Sequence, residues 1–171
     1  RKLTATGYVE CVLGDIRTKS QMHVISELDG ASGALTARNP YNTDFAGRVA
    51  FFDADGGTTV DGRSRSFTCD RTEFLGRNGS LAEPAAMQRQ KLSGLDPCAA
   101  IQVPITLAPE QSCETVFRLG MGSDDQDAAR LALHTQGSDA AHDALDNVRI
   151  HWLATLGAVR VKTPDASVDA L

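Results

Sequence analysis

Residues 98–122, CAAIQVPITLAPEQSCETVFRLGMG, decide the fold class. Two apolar, strand-like runs flank Pro109-Glu110-Gln111, and that triplet reads as a hairpin or short return. Pro104 removes a backbone donor inside the first run, which predicts an edge strand or a bulge there. Working outward, residues 3–13 (LTATGYVECVL) alternate. Leu3, Ala5, Val9, Cys11 and Leu13 fall on one face, and Thr4, Thr6, Tyr8 and Glu10 on the other. Residues 21–28 repeat the pattern through Met22, Val24 and Leu28. Gly30, Ser32 and Gly33 then form a turn before a short run at 34–38. RVAFFD at 48–53 is a further strand, closed by the Asp- and Gly-rich stretch DADGGTTVDG. The N-terminal two-thirds is therefore β.

The remainder changes character. Ser123 followed by Gln126 has the form of a capping box, and Asp124, Asp125 and Asp127 suit the positive end of a helix dipole, predicting a helix over 124–135. Gly137 and Ser138 separate it from a second helix at 139–156, where Leu145, Val148, Trp152 and Leu156 form an apolar stripe ended by Gly157. A short strand, AVRVK, follows. Thr163-Pro164-Asp165 combines an N-cap, a proline at the first helical position and an acid in the first turn. Only about two turns follow, fewer than the roughly 12–15 residues an isolated helix needs, which reads as a cut at a domain border. Arg1 in place of an initiating Met fits the same expectation, although removal of a leader would leave the same start.

Composition narrows the function. With 171 residues and 42% apolar content, the chain suits one ordered domain. A net charge of −5 without a dense Lys/Arg run argues against a nucleic-acid partner. No apolar stretch reaches the roughly 18 residues that a membrane span requires. Cys11, Cys69, Cys98 and Cys113 lack CxxC or zinc-ligand spacing. A secreted chain could pair them into two disulfides, but with Cys11, Cys98 and Cys113 inside apolar runs they are read as reduced, structural thiols of a cytoplasmic compartment. Asp53, Asp55 and Asp61 invite a calcium-loop reading. Thr58 and Ser64 stand where an EF-hand needs Gly and Glu, so a solvated turn is expected instead. His23, His134, His142 and His151 have no ligand spacing, and no P-loop, G-x-S-x-G or G-x-G-x-x-G is present. No metal or cofactor is expected. Asn78-Gly79-Ser80 matches a glycosylation sequon, which is a weak pattern.

Two polar, aromatic-bearing segments remain as candidate sites: ARNPYNTDF (37–45) and DRTEFLGRNGSLAEPAA (70–86). Arg38, Asn39, Tyr41 and Asn42 in the first, with Arg71, Arg77 and Asn78 in the second, can bind sugar hydroxyls by hydrogen bonds plus ring contact. The structural alternative is that Pro40, Gly76 and Gly79 shape crossovers whose polar groups satisfy the backbone.

The strings DRTEFLGRNGSLAEPAAMQRQKLSG and LDPCAAIQVPITLAPEQ resemble the supersandwich domain of glycoside hydrolase family 94, formerly glycosyltransferase family 36. YVECVLGDIRTKSQMHVISELDGASGALTARNPYNTDFAGRVAFF is most similar to the cyclic β-1,2-glucan synthase branch. One departure is that Gly94 runs straight into Leu95-Asp96-Pro97-Cys98, where the family usually carries a glycine-rich insert. The resemblance implies a mainly β fold: part of an antiparallel, galactose mutarotase-like β-supersandwich with two C-terminal linker helices. It assigns 1–122 to the second half of the sandwich, 123–157 to the linker helices, and 158–171 to a strand and the start of an (α/α)6 barrel. By the same resemblance, the catalytic acid lies in that barrel and none in this chain. The whole enzyme would process β-glucan or oligosaccharide with inorganic phosphate as co-substrate, in the cytoplasm or on a cytoplasmic domain of an inner-membrane protein, with homodimer contacts near its entrance. A stand-alone carbohydrate-binding or dimerisation module is the alternative reading.

Overall fold

The computed structural model describes residues 1–56, 65–82, 84–85, 87, 92, 94–158 and 164, leaving out the side chain of Asn78. Two compact units divide it, Arg1–Ser138 and Asp139–Leu171.

The first unit is built on two antiparallel sheets. One has the order β1 (Lys2–Glu10), β6 (Pro97–Thr106), β5 (Ser66–Asp70); the other runs β2 (Ile25–Leu28), β3 (Leu35–Arg38), β4 (Val49–Gly56), β7 (Thr115–Gly122). Their facing residues make the main core, with Leu35, Ala37, Phe52 and Ala54 from one sheet packed against Phe67, Cys69, Ile101 and Val103 from the other. Each such large apolar side chain contributes about 1.5–3 kcal/mol by leaving water. Gly7 on β1 is required by this packing, because a Cβ there would run into the rings of Phe117 and Phe52.

Short helices cover the outer faces. On the β5/β6 sheet, α2 (Arg71–Leu75) buries Phe74 and Leu75 with Met87, Cys98 and Ala100, and Tyr8 stacks on Phe74 at 4.8 Å. On the other sheet, α3 (Asp125–His134) packs Ala128 and Ala132 onto Val49 and Phe51. Strand β6 is thus buried on both faces, which is why its sequence is a continuous apolar run rather than an alternation.

Several expectations change. The runs at 98–108 and 112–122 do not form a hairpin: β6 pairs with β1 and β5, while β7 pairs with β4, so Pro109–Gln111 carries the chain from one sheet to the other. Local turn chemistry cannot tell a hairpin from such a crossover. Pro104 lies in the central strand, opposite Thr4, beyond the last described β5 partner at Gln102. The irregularity in that sheet falls at Thr68/Asp70 instead. Strand β1 ends at Glu10 rather than 13, and Gln21–His23 form a 3-10 turn before β2 because a four-residue helix, α1 (Arg17–Ser20), precedes them.

The capping register at α3 moves by one residue. Asp124 is the N-cap and accepts from the Asp127 N–H at 2.8 Å, while Asp127 accepts from the Ser123 N–H at 2.9 Å. In the second unit, α4 (Ser138–Leu156) forms over the predicted range, and its stripe of Leu145, Val148, Trp152 and Leu156 is exposed. Most of the predicted AVRVK strand and the Thr163-Pro164-Asp165 helix start lies outside the described residues, as does Asp61. No helix among the described residues is long and apolar enough to cross a membrane.

Candidate functional site

Beyond β3 the chain must turn without a regular partner, and two asparagines organise it. Asn39 is buried. Its amide donates to the Leu13 carbonyl at 2.9 Å and accepts from the Tyr41 N–H at 3.0 Å. Asn42 accepts from the Asp44 N–H at 3.1 Å, and its own N–H reaches the Asn39 carbonyl at 3.2 Å. These Asx turns fold 39–45 into an ordered loop after Pro40 has preset its backbone. Leu13, the partner of Asn39, holds a left-handed conformation with φ of 42°, uncommon for a branched residue.

Between this loop and the β1–α1 connection lies a cleft of about 780 Å³. Leu13, Ala50 and Met121 give it apolar wall, and Tyr41 and Phe45 give it aromatic rings. Tyr41 is 72% exposed, and its ring is held by stacking on His23 with centroids 4.1 Å apart. Asp15 and Lys19 stand on the α1 side, Asp44 and Arg48 on the loop side. Asp15 accepts from the Ile16 N–H at 2.8 Å and from Lys19 Nζ at 3.3 Å, and these bonds hold its carboxyl below the usual carboxylate range.

The structure divides the predicted site residues. Asn39 and Tyr41 both line the cleft, Asn39 chiefly as a buried scaffold and Tyr41 as exposed surface. Arg38, one residue earlier, points to other partners and bridges Glu27 at 3.3 Å and Asp125 at 3.2 Å, tying β2 to the start of α3. Arg71 belongs to a separate cluster, where it meets Glu10 at 3.3 Å, Asp96 at 3.4 Å and the Tyr8 hydroxyl at 3.1 Å. Arg17 joins the same two acids. The Tyr8 hydroxyl donates to Glu10 at 3.0 Å, and burial, with that bond, pushes its pKa up to about 12. Arg77 is exposed on the 3-10 turn that follows α2. Asn78 closes that turn, with its side chain outside the described residues.

Asp53 and Asp55 do not sit in a solvated turn. Both belong to β4, Asp53 is 2% exposed, and it pairs with Arg65 and Arg118. Asp55 pairs with Arg118 and accepts from the Gly137 N–H at 2.7 Å, next to the start of α4. Two acids in an apolar strand were the available signal; their bases stand 10 or more residues away in sequence, so the pairing was not readable. Among the described residues, no group of three or more His, Cys, Asp or Glu side chains is placed to hold a metal ion. All four cysteines are free. Cys11, Cys69 and Cys98 are buried, whereas Cys113 is exposed just before β7, contrary to its expected place in an apolar strand.

Similarity to known proteins extends over both loops. The chain is 36% identical, over 99% of its length, to cyclic beta-(1,2)-glucan synthase NdvB of Rhizobium meliloti (strain 1021). It is 29% identical, over 61% of its length, to 3-O-beta-D-glucopyranosyl-beta-D-glucuronide phosphorylase of Paenibacillus borealis. It spans only 6% and 14% of the lengths of these two relatives. Residues 1–138, the whole two-sheet unit, match the supersandwich domain of glycosyl hydrolase 94. Sheets, covering helices and sequence agree, and the chain belongs to the glycosyl hydrolase 94 supersandwich family.

Proposed function

We propose that this chain is the non-catalytic sandwich of a β-glucan-processing enzyme, of the cyclic β-1,2-glucan synthase or inverting phosphorylase type. The observation that carries this reading is the 36% identity to a cyclic glucan synthase along 99% of the chain. In the whole enzyme, inorganic phosphate attacks the anomeric carbon while a carboxylic acid protonates the leaving oxygen. That acid belongs to a helical barrel elsewhere in the polypeptide. This chain's contribution is support: a doubly covered sandwich is a rigid base on which a catalytic domain can be held, and homodimer contacts fit the same role. The 37–45 and 70–86 loops would border the barrel's entrance.

A phosphorolysis assay tests the proposal, comparing the full-length protein with residues 1–171 on β-1,2-glucan and on cellobiose. Phosphate-dependent release of glucose 1-phosphate is expected from the full-length protein only. Turnover by residues 1–171 alone, or none by the full-length protein, would overturn it.

A further inference from the structure

We infer that the cleft between the 39–48 loop and the β1–α1 connection is a binding site for a β-linked gluco-oligosaccharide chain. Its identity as a β-glucan site rests on the function proposed above; its existence as a ligand site rests on the geometry. At about 780 Å³ it falls within the roughly 300–1,000 Å³ range of small-molecule sites. Its wall offers two aromatic rings, Tyr41 and Phe45, which are 72% and 57% exposed. Rings of this kind offer a flat apolar face to the C–H groups of a pyranose, while hydroxyls at the sugar's edge seek hydrogen bonds. Tyr41 is already held by His23, at 4.1 Å with 11° between the planes, so less side-chain freedom is lost on binding.

The rim specifies the charge class. Asp15 and Lys19 lie on one side, Asp44 and Arg48 on the other, so the formal charges of these four cancel. Such a rim supplies donors and acceptors together, which suits a neutral polyhydroxyl ligand whose every hydroxyl both donates and accepts. An anionic or cationic ligand would meet one matching and one opposing charge on each side. The Asx turns at Asn39 and Asn42 fix the loop, so the rings and rim are in place before the ligand arrives.

The test is calorimetric titration of the full-length protein with a β-1,2-gluco-oligosaccharide, alongside an α-1,4-gluco-oligosaccharide of the same length. Tyr41→Ala and Phe45→Ala are each expected to weaken binding of the β-linked chain by about threefold to tenfold, as the loss of one aromatic contact predicts. Tyr41→Phe, which keeps the ring, should retain the affinity. Melting temperatures distinguish local loss from unfolding, and Phe45→Ala gives a second arm if Tyr41→Ala unfolds the loop. Equal affinity of the folded Phe45→Ala and parent proteins, absence of binding, or equal binding of the α-linked chain would each overturn the inference. Missing phosphorolysis in the parent protein sinks the proposed enzyme activity instead, and the binding result is then read on its own.

Discussion

At the scale of the residue, the interior is organised by charge as well as by apolar packing. Arg118 is 7% exposed and holds both Asp53 and Asp55, so replacing it leaves carboxylates in a poorly solvated site with one base fewer. Arg118→Met should destabilise the fold by about 3–5 kcal/mol, the usual cost of breaking a buried pair from one side. Adding Asp53→Leu to that variant should recover part of the loss, and urea unfolding of the two variants measures both effects. A double variant no more stable than the single one would deny that the stranded charge is the cause. The thiols supply a second prediction. Burial pushes Cys11 up to about 11 and Cys69 up to about 12, and raises Cys98 further, so each stays in its unreactive neutral form at physiological pH. Cys113 is exposed. A thiol-alkylating reagent at neutral pH should therefore modify Cys113 first, with the others modified only in denaturant, as mass spectrometry of the peptides will show.

At the scale of the element, α3 is held at its start by reciprocal bonds among Ser123, Asp124 and Asp127. The Ser123 N–H, and then Arg130, lower the Asp127 carboxyl below its ordinary value. Because the folded pKa is the lower one, the cap's stabilisation is present above the ordinary Asp pKa of about 3.9 and is lost as pH falls through the lowered value. Carbon-detected NMR titration should place Asp127 below a free aspartate, and Asp127→Asn should abolish that acid-dependent fraying of α3. An ordinary midpoint for Asp127 would contradict the account. The elements themselves were largely legible. Alternation marked β1, a short apolar run closed by Asp and Gly marked β4, and the acidic start and the Gly137 break marked α3 and α4, because side-chain pattern and caps are local properties. Strand partners were not legible, since Pro109–Gln111 carries the same turn residues whether the next strand returns or crosses. Of the site, Tyr41 stood out by its type, whereas the cleft depends on Met121 and Asp15 arriving from distant elements.

At the scale of the whole molecule, the sandwich unit and the unit carrying α4 differ in how they are held. The first is knit by sheets, covering helices and buried ion pairs, and residues as far apart in sequence as Cys11 and Val103 meet in its main core. The second contains a 19-residue helix without a buried residue, whose only tryptophan, Trp152, is 53% exposed. Asp55 holds the Gly137 N–H, so the last turn before α4 is anchored to β4 by a bond that spans much of the sequence.

The pairing of β1 with β6 has a consequence for synthesis. Lys2 faces Thr106 and Glu10 faces Cys98, so β1 leaves the ribosome about a hundred residues ahead of the strand that completes it. At roughly 5–20 residues per second, that wait lasts on the order of 5–20 s. Throughout it, a nine-residue strand has unsatisfied backbone groups on its β6 side while the β2–β3–β4 meander can already form. Within this unit, the β2–β3–β4 meander should therefore form before β6 closes on β1, with chaperone contact concentrated on Lys2–Glu10.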